Sequence, residues 1–146
     1  MQIGYARIST ADQSLDRQRD ELRSAGCERV VEETGSGKRG ASRPCWDELR
    51  RALRAGDVLT VTELSRLGRS TAELAALLDE LGDQGVALRV LGLGVDGSTA
   101  AGRLVLDILG AVVQMERVLL VERTQSGLAA ARARGRNGGR PSRLTA

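Results

Sequence analysis

The 146-residue chain has no histidine and no phenylalanine, and only one tryptophan, one tyrosine and two cysteines. Each scarcity excludes something. Without an imidazole there is no histidine base for a serine nucleophile, which disfavours peptide or ester hydrolysis of the triad type. With so few aromatics the core must be aliphatic, and 41% hydrophobic content is enough for one core at this length. Cys27 and Cys45 form no metal-binding or redox spacing, so two free thiols in a reduced cytosolic setting are expected. No run approaches the roughly 20 apolar residues that span a bilayer. A strand pattern that starts at Gln2 sets the expectation of no secretory leader.

What is present is arginine in particular places. The net charge is only +3, yet after Arg123 the chain carries Arg132, Arg134, Arg136, Arg140 and Arg143 with no Asp or Glu. A one-sided basic tail points to a polyanionic partner. A hydroxyl follows the first strand at Ser9, two residues after Arg7, and alternate strand residues Tyr5, Arg7 and Ser9 tend to share a side. A second arginine group lies in Ser65-Arg66-Leu67-Gly68-Arg69-Ser70, where Arg66 and Arg69 converge if the segment forms a helical turn. Arg43 stands just before Pro44. A serine hydroxyl among fixed cations suits attack on a phosphodiester, where positive charge meets developing negative charge.

The pattern of elements is α/β. Strands are expected at Gln2–Ile8, Arg29–Glu33, Val58–Val61 and Val86–Leu91. A helix is expected over 12–25, with Asp12 or Ser14 as its cap, Leu15, Gln18 and Leu22 on one face, and Gly26 at its stop. Residues 34–42 read as a mobile Gly-rich loop. Pro44 then opens a helix with Trp46, Leu49 and Leu53 on its buried stripe and Gly56 at its end. Ser70-Thr-Ala-Glu73 is a capping box ahead of Leu74, Leu77, Leu78 and Leu81. Strands alternating with helices imply a three-layer domain, a mostly parallel sheet flanked by helices, with its site beyond the carboxyl ends of the strands. From about Thr99 to Ala133 there follows one long helix, apolar on more than one face (Leu104, Val105, Leu106, Ile108, Leu109, Val112, Val113, Met115). Such a helix is expected to pack against another subunit.

Two nucleotide-like motifs do not hold. Gly35-Ser-Gly-Lys38 lacks the earlier glycine of a phosphate loop, since position 32 is Glu32, and Arg39 follows the lysine. Gly92-Leu-Gly94-Val-Asp-Gly97 has dinucleotide spacing, but it follows a late strand and brings Asp96 near the place of a pyrophosphate. Gly139-Arg140-Pro141 is a slender basic element of the kind that fits an A·T-rich minor groove.

Taken in order, these segments resemble the serine recombinases, the resolvase and DNA invertase family. They are Tyr5-Ala-Arg-Ile-Ser-Thr, Gln13-Ser-Leu-Asp-Arg-Gln18, the Gly-rich stretch ending in Arg43, Arg66-Leu-Gly-Arg-Ser, Met115-Glu-Arg, Val121-Glu-Arg-Thr, Gly127-Leu-Ala-Ala-Ala-Arg-Ala-Arg-Gly-Arg and Gly138-Gly-Arg-Pro. The likeness covers essentially the whole chain, and its later segments are nearer to invertases. The resemblance implies that Ser9 attacks a DNA phosphodiester and forms a 5′-phosphoserine link, leaving a 3′-hydroxyl, with strand exchange by subunit rotation in a tetramer. Arg7, Arg43, Arg66 and Arg69 would hold the scissile phosphate, with Tyr5, Gln13, Gln18 and Ser65 in support. Glu122 and Arg123 would belong to the subunit-exchange interface, and Arg132, Arg134, Arg136 and Arg140 would contact DNA. The implied partners are double-stranded DNA, further copies of the chain as homodimer and homotetramer, and an accessory DNA-bending protein. No cofactor, metal or membrane is implied, and the setting would be a bacterial-type cytoplasm at the nucleoid.

The implied organisation is a catalytic core over 1–98, a dimerisation and DNA-contacting helix over 99–134, and a basic linker over 135–146 toward a helix-turn-helix domain. Two features depart from the family's pattern. Ser65 stands where many members carry Asp, so slower turnover is expected here, and Leu104, Val105 and Leu106 replace aromatics early in the long helix. The rival reading is a non-catalytic DNA-binding or regulatory protein on the same fold.

Overall fold

A computed structural model of the chain describes residues 1–8, 15–35, 41–68, 70–136 and 138–139. Five strands, β1 (Gln2–Ile8), β2 (Arg29–Thr34), β3 (Val58–Val61), β4 (Ala87–Val90) and β5 (Val95–Asp96), form one sheet in the order β2-β1-β3-β4-β5. The first three pairings are parallel and only β4–β5 is antiparallel. The helices are α1 (Leu15–Ser24), α2 (Pro44–Ala52), α3 (Thr71–Gln84) and α4 (Ala100–Ala133).

Side-chain alternation along β1 builds the layers. Ile3 and Tyr5 join Leu59, Val61, Leu88 and Val90 in the main core, under Trp46 and Leu49 of α2 and Leu77 and Leu81 of α3. Ala6 faces the other way, toward Leu22 of α1 and Cys27. Gly4 shares that second face because a Cβ there would lie 3.1 Å from Leu22 and 3.2 Å from Cys27 Sγ. The expected three-layer sandwich is thus the observed one.

The expected element ends shift by a few residues for local reasons. The start of the first helix, with the candidate caps Asp12 and Ser14, lies outside the described residues, as do positions 36–40 of the Gly-rich stretch. Helix α2 stops at Ala52 because Leu53 turns to extended backbone (φ −63°, ψ 139°) and buries its side chain, four residues before Gly56 was expected to end it. Strand β4 is shorter than 86–91. Val86 N–H still donates to Leu81 C=O (2.9 Å) at the end of α3, and Leu91 begins a 3₁₀ turn. The Ser70 half of the capping box forms, with Glu73 N–H donating to Ser70 Oγ at 3.2 Å, while the Glu73 carboxylate lies toward Arg43.

Helix α4 has 34 residues, about 50 Å at 1.5 Å per residue. Thr99 caps it by accepting from Gly102 N–H at 3.0 Å. It ends in a Schellman motif, in which Arg136 N–H donates to Ala131 C=O and Gly135 N–H to Arg132 C=O, with Gly135 at φ +75°. It packs along α3 and β5, and Leu106 reaches the core. Leu104, Ile108, Met115, Val118 and Leu120 are each more than half exposed. The helix is not buried within its own domain, as its apolar spread foretold. No helix among the described residues is long and apolar enough to cross a membrane.

Candidate active site

Because β1 lies between β2 and β3 and runs parallel to both, the carboxyl ends of all three open on one edge. Arg7 is the penultimate residue of β1. Its peptide group is clamped by the buried amide of Gln18 on α1. Arg7 N–H donates to Gln18 Oε1 (3.3 Å), and Gln18 Nε2 donates to Arg7 C=O (3.2 Å). A primary amide is the side chain that offers one acceptor and one donor side by side. So fixed, Arg7 sends Nη2 to the backbone carbonyl of Ser65, 3.0 Å away.

The segment after β3 is pinned at both ends. Thr62 is buried, and its carbonyl accepts from Gly92 N–H at 2.8 Å. A Cβ at Gly92 would stand 2.7 Å from that oxygen, so this close approach requires glycine. Leu67 is fully buried at the other end. Between them Leu64–Arg66 forms a 3₁₀ turn, closed by Arg66 N–H to Glu63 C=O (3.1 Å) and Leu67 N–H to Leu64 C=O (3.0 Å). Ser65 is exposed, and its Oγ lies 3.2 Å from Glu63 Oε2. Arg66 Nη2 stands 3.8 Å from the same carboxylate oxygen. Arg66 Nε is buried without a hydrogen-bond partner among the described residues.

Arg43 stands at the N-cap position of α2, just before Pro44, makes no side-chain capping bond and is buried. Its Nη1 and Nη2 both donate to Leu67 C=O at 2.9 Å. Its guanidinium lies 5.5 Å from the Trp46 ring centroid, within cation–π range, and 3.7 Å from Glu73 Oε1. The Trp46 ring in turn tilts against Tyr5 at 4.9 Å. Beneath them the buried Glu33, opposite Arg7 in the β1–β2 register, accepts from Trp46 N–H at 2.8 Å. A carboxylate there meets the unsatisfied donors and positive dipole end of α2.

Tyr5 is fully buried, and its hydroxyl has no hydrogen-bond partner among the described residues. Burial pushes its pKa up to about 12, with Arg43 opposing and Glu33 reinforcing the shift. The folded state therefore holds the neutral phenol more strongly than the unfolded chain does, whose pKa is ~10. By linkage this contribution to stability is complete below pH ~10 and is lost as pH rises through about 12. The chain has a single tyrosine, so phenolate absorbance reports this group alone. We expect a midpoint near 12 in buffer and near 10 in denaturant. Coincident midpoints would contradict the burial. Burial, followed by the Glu33 carboxylate, also pushes the Cys45 thiol up, keeping it protonated at neutral pH beside the site. Both cysteines are free.

Of the residues singled out by sequence, Tyr5, Arg7, Gln18, Arg43, Ser65 and Arg66 meet at this edge. Ser9, Gln13, Arg69 and Arg140 lie outside the described residues, so the convergence of Arg66 with Arg69 does too. Glu122 and Arg123 are exposed on α4, and Glu122 borders a groove of about 460 Å³ between α3 and α4. Arg132, Arg134 and Arg136 are exposed at the far end of α4. The sequence reading missed Glu33 and Glu63, and it took Glu73 only as a capping-box residue and not as a neighbour of Arg43. Glu33 had a signal, since Val31 and Glu33 share a parity on β2 and a carboxylate on a core-facing parity needs a partner. Three guanidiniums from three separate segments thus stand along one strand edge, an arrangement suited to an oxyanion with several equatorial oxygens.

Comparison with known proteins bears on the family and the fold. The family model described as "Resolvase, N terminal domain" matches residues 2–137. The chain is 49% identical over 140 residues to a DNA-invertase of Escherichia phage P1, covering 96% of this chain and 75% of that one. It is 47% identical over 145 residues to the serine recombinase gin of Escherichia phage Mu, covering 99% and 75%. Among solved structures, the N-terminal catalytic domain of TP901-1 integrase superposes with a TM-score of 0.67 at 28% identity, over 82% of this chain and 98% of that one. A resolvase family site-specific recombinase from Streptococcus pneumoniae gives 0.70 at 25% identity, over 92% and 99%.

Proposed function

Because this chain belongs to the resolvase N-terminal domain family, we propose that Ser9 is the nucleophile with which it cuts DNA and that Arg7, Arg43, Arg66 and Arg69 hold the scissile phosphate. The chain is a site-specific DNA recombinase of the serine type. In the proposed step Ser9 Oγ bonds to phosphorus as the P–O3′ bond breaks. The serine proton leaves, and the departing 3′ oxygen ends as a hydroxyl. One ester replaces another, so the reverse attack by a 3′-hydroxyl reseals the strand without an external energy source. Negative charge builds on the non-bridging oxygens of the pentacoordinate state, and arginines are permanently charged donors that meet it. The observation that carries this reading is the meeting of Arg7, Arg43 and the Ser65–Leu67 turn at the carboxyl end of β1, the strand that leads directly to Ser9.

Tyr5, Gln13, Gln18 and Ser65 support this cluster in the proposal. The partners are double-stranded DNA and further copies of the chain. The exposed apolar residues of α4 would be covered by a second copy, and a dimer would become the tetramer in which strands rotate. Glu122 and Arg123 would belong to that exchange interface. An accessory DNA-bending protein would assist synapsis. Arg132, Arg134, Arg136 and Arg140 would follow the DNA backbone and minor groove, contacts that position rather than specify. The division into a core over 1–98, a helix over 99–134 and a basic linker over 135–146 completes the proposal.

The test is recombination on a supercoiled plasmid carrying two sites. The chain is fused to a zinc-finger array that supplies base readout. Rearranged product with the wild type and none with Ser9→Ala is the expected result. DNA bound by the wild type with neither cleavage nor rearrangement, across central sequences, would favour the non-catalytic reading.

A further inference from the structure

The 3₁₀ turn after β3 holds a carboxylate that the sequence reading did not use. The resemblance led to an acidic group at position 65, and the chain has serine there. Two residues earlier stands Glu63, whose Oε2 is 3.2 Å from Ser65 Oγ and 3.8 Å from Arg66 Nη2. One carboxylate oxygen therefore faces both the substituted residue and the neighbouring arginine. We infer that Glu63 is a positioning residue: held by the Ser65 hydroxyl, its carboxylate sets the direction of the Arg66 guanidinium toward the scissile phosphate.

The backbone makes this workable. Glu63 follows Thr62, whose carbonyl is fixed by Gly92 N–H, and its own carbonyl accepts from Arg66 N–H at 3.1 Å. The Ser65 carbonyl is held by Arg7 and the Leu67 carbonyl by Arg43. A turn tied at four carbonyls between Thr62 and Leu67 leaves side-chain rotation as the main freedom of Arg66. Its buried Nε lacks a hydrogen-bond partner among the described residues. A carboxylate at Nη2 restrains that rotation while leaving Nε in place. Glu63 itself is well exposed, with a side chain 62% accessible. Its pairing therefore adds little to folding stability, and its removal should be felt in chemistry rather than in folding.

The inference rests on the proposed role of Arg66, and the experiment separates the two. Single-turnover formation of the covalent DNA adduct is timed for wild type, Glu63→Gln, Glu63→Gln/Ser65→Asp and Arg66→Ala, all in the zinc-finger fusion. DNA affinity and melting temperature are measured alongside. We expect Glu63→Gln to slow adduct formation roughly 10- to 100-fold, the scale of a misdirected catalytic group, with affinity and melting temperature unchanged. Moving the carboxylate in Glu63→Gln/Ser65→Asp should restore the rate to within about threefold. Glu63→Gln at the wild-type rate while Arg66→Ala is slow would overturn this inference and leave the role of Arg66 standing. So would a slow Glu63→Gln that the relocated carboxylate does not rescue. Arg66→Ala at the wild-type rate would overturn the role of Arg66 and this inference with it.

Discussion

Replacing Arg43 with alanine is expected to lower both stability and cleavage, each by a large factor. The folded state would lose two hydrogen bonds at 2.9 Å to the Leu67 carbonyl, the cation–π contact with Trp46 and the approach to Glu73. Hydrogen bonds from charged groups contribute about 1.5–3 kcal/mol each, and non-additivity keeps the sum well below twice that. A loss of about 2–4 kcal/mol follows, or roughly 5–15 °C in melting temperature for a chain of this size. Cleavage should fall on the order of 10²- to 10³-fold, the usual cost of one preorganised donor to a transition-state oxyanion. Arg43→Lys separates the effects. It keeps the charge but cannot present two donors to one carbonyl while stacking on Trp46. It should regain part of the rate and little of the stability. Thermal melts together with single-turnover cleavage of both variants check this. An Arg43→Ala protein that melts like the wild type would mean the buried fork does not tie α2 to the turn after β3.

The second large effect is expected at the root of α4. A Cβ at Gly102 would lie 1.7 Å from the Asp96 carbonyl oxygen, 2.4 Å from its carbon and 2.9 Å from Thr99 Oγ1. Two of these atoms are backbone in β5, so no side-chain rotation relieves the overlap. The first turn of α4 must lift from the sheet, breaking the Thr99 cap on Gly102 N–H. Overpacking of this kind typically costs about 1–3 kcal/mol and more where the backbone must move, and the cap adds ~1 kcal/mol. Gly102→Ala should therefore fall at or above the top of that range. Gly127→Ala is the matched control. A Cβ at Gly127, in the same helix, meets nothing within 4 Å, so alanine there should stabilise by up to about 1 kcal/mol. Opposite signs for the two substitutions, measured by denaturant unfolding, are expected. Equal small effects would contradict the tight seat of α4 on β5.

The same helix shows how much was legible in the chain. Its length, its Thr99 start and its apolar spread follow from periodicity, because a helix with Leu104, Ile108 and Met115 pointing outward cannot bury them alone. The strand parity that divides Ile3 and Tyr5 from Ala6 was likewise readable from residue order. The placement of Arg7 and of the Arg66 turn at one edge follows from a rule about parallel sheets and needed no contact information. From the residue pattern itself Arg43 was visible only as a residue before a proline, and its place among the phosphate-holding arginines came from the resemblance. Its burial and its grip on the Leu67 carbonyl depend on a partner 24 residues away, which no local pattern encodes. Glu63 looked like an ordinary surface acid and Glu73 like a capping-box residue for the same reason, since their meaning lies in which arginine the fold brings near. Element ends were the least legible. The extended turn at Leu53 is decided by the burial of its side chain rather than by Gly56, and the Val86 N–H to Leu81 C=O bond belongs to the helix stop at Gly85, whose φ is +71°.

The central claim is that Ser9 carries DNA covalently, and trapping that link tests it most directly. The zinc-finger fusion meets DNA with paired finger sites around a family-like central sequence, nicked so that resealing is slow. Protein–DNA adducts that survive denaturant are digested and located by mass spectrometry. The account predicts a 5′-phosphoryl group on Ser9, absent in Ser9→Ala. An adduct on another residue, or none while the wild type demonstrably binds the DNA and activating changes on α4 have been tried, would contradict it.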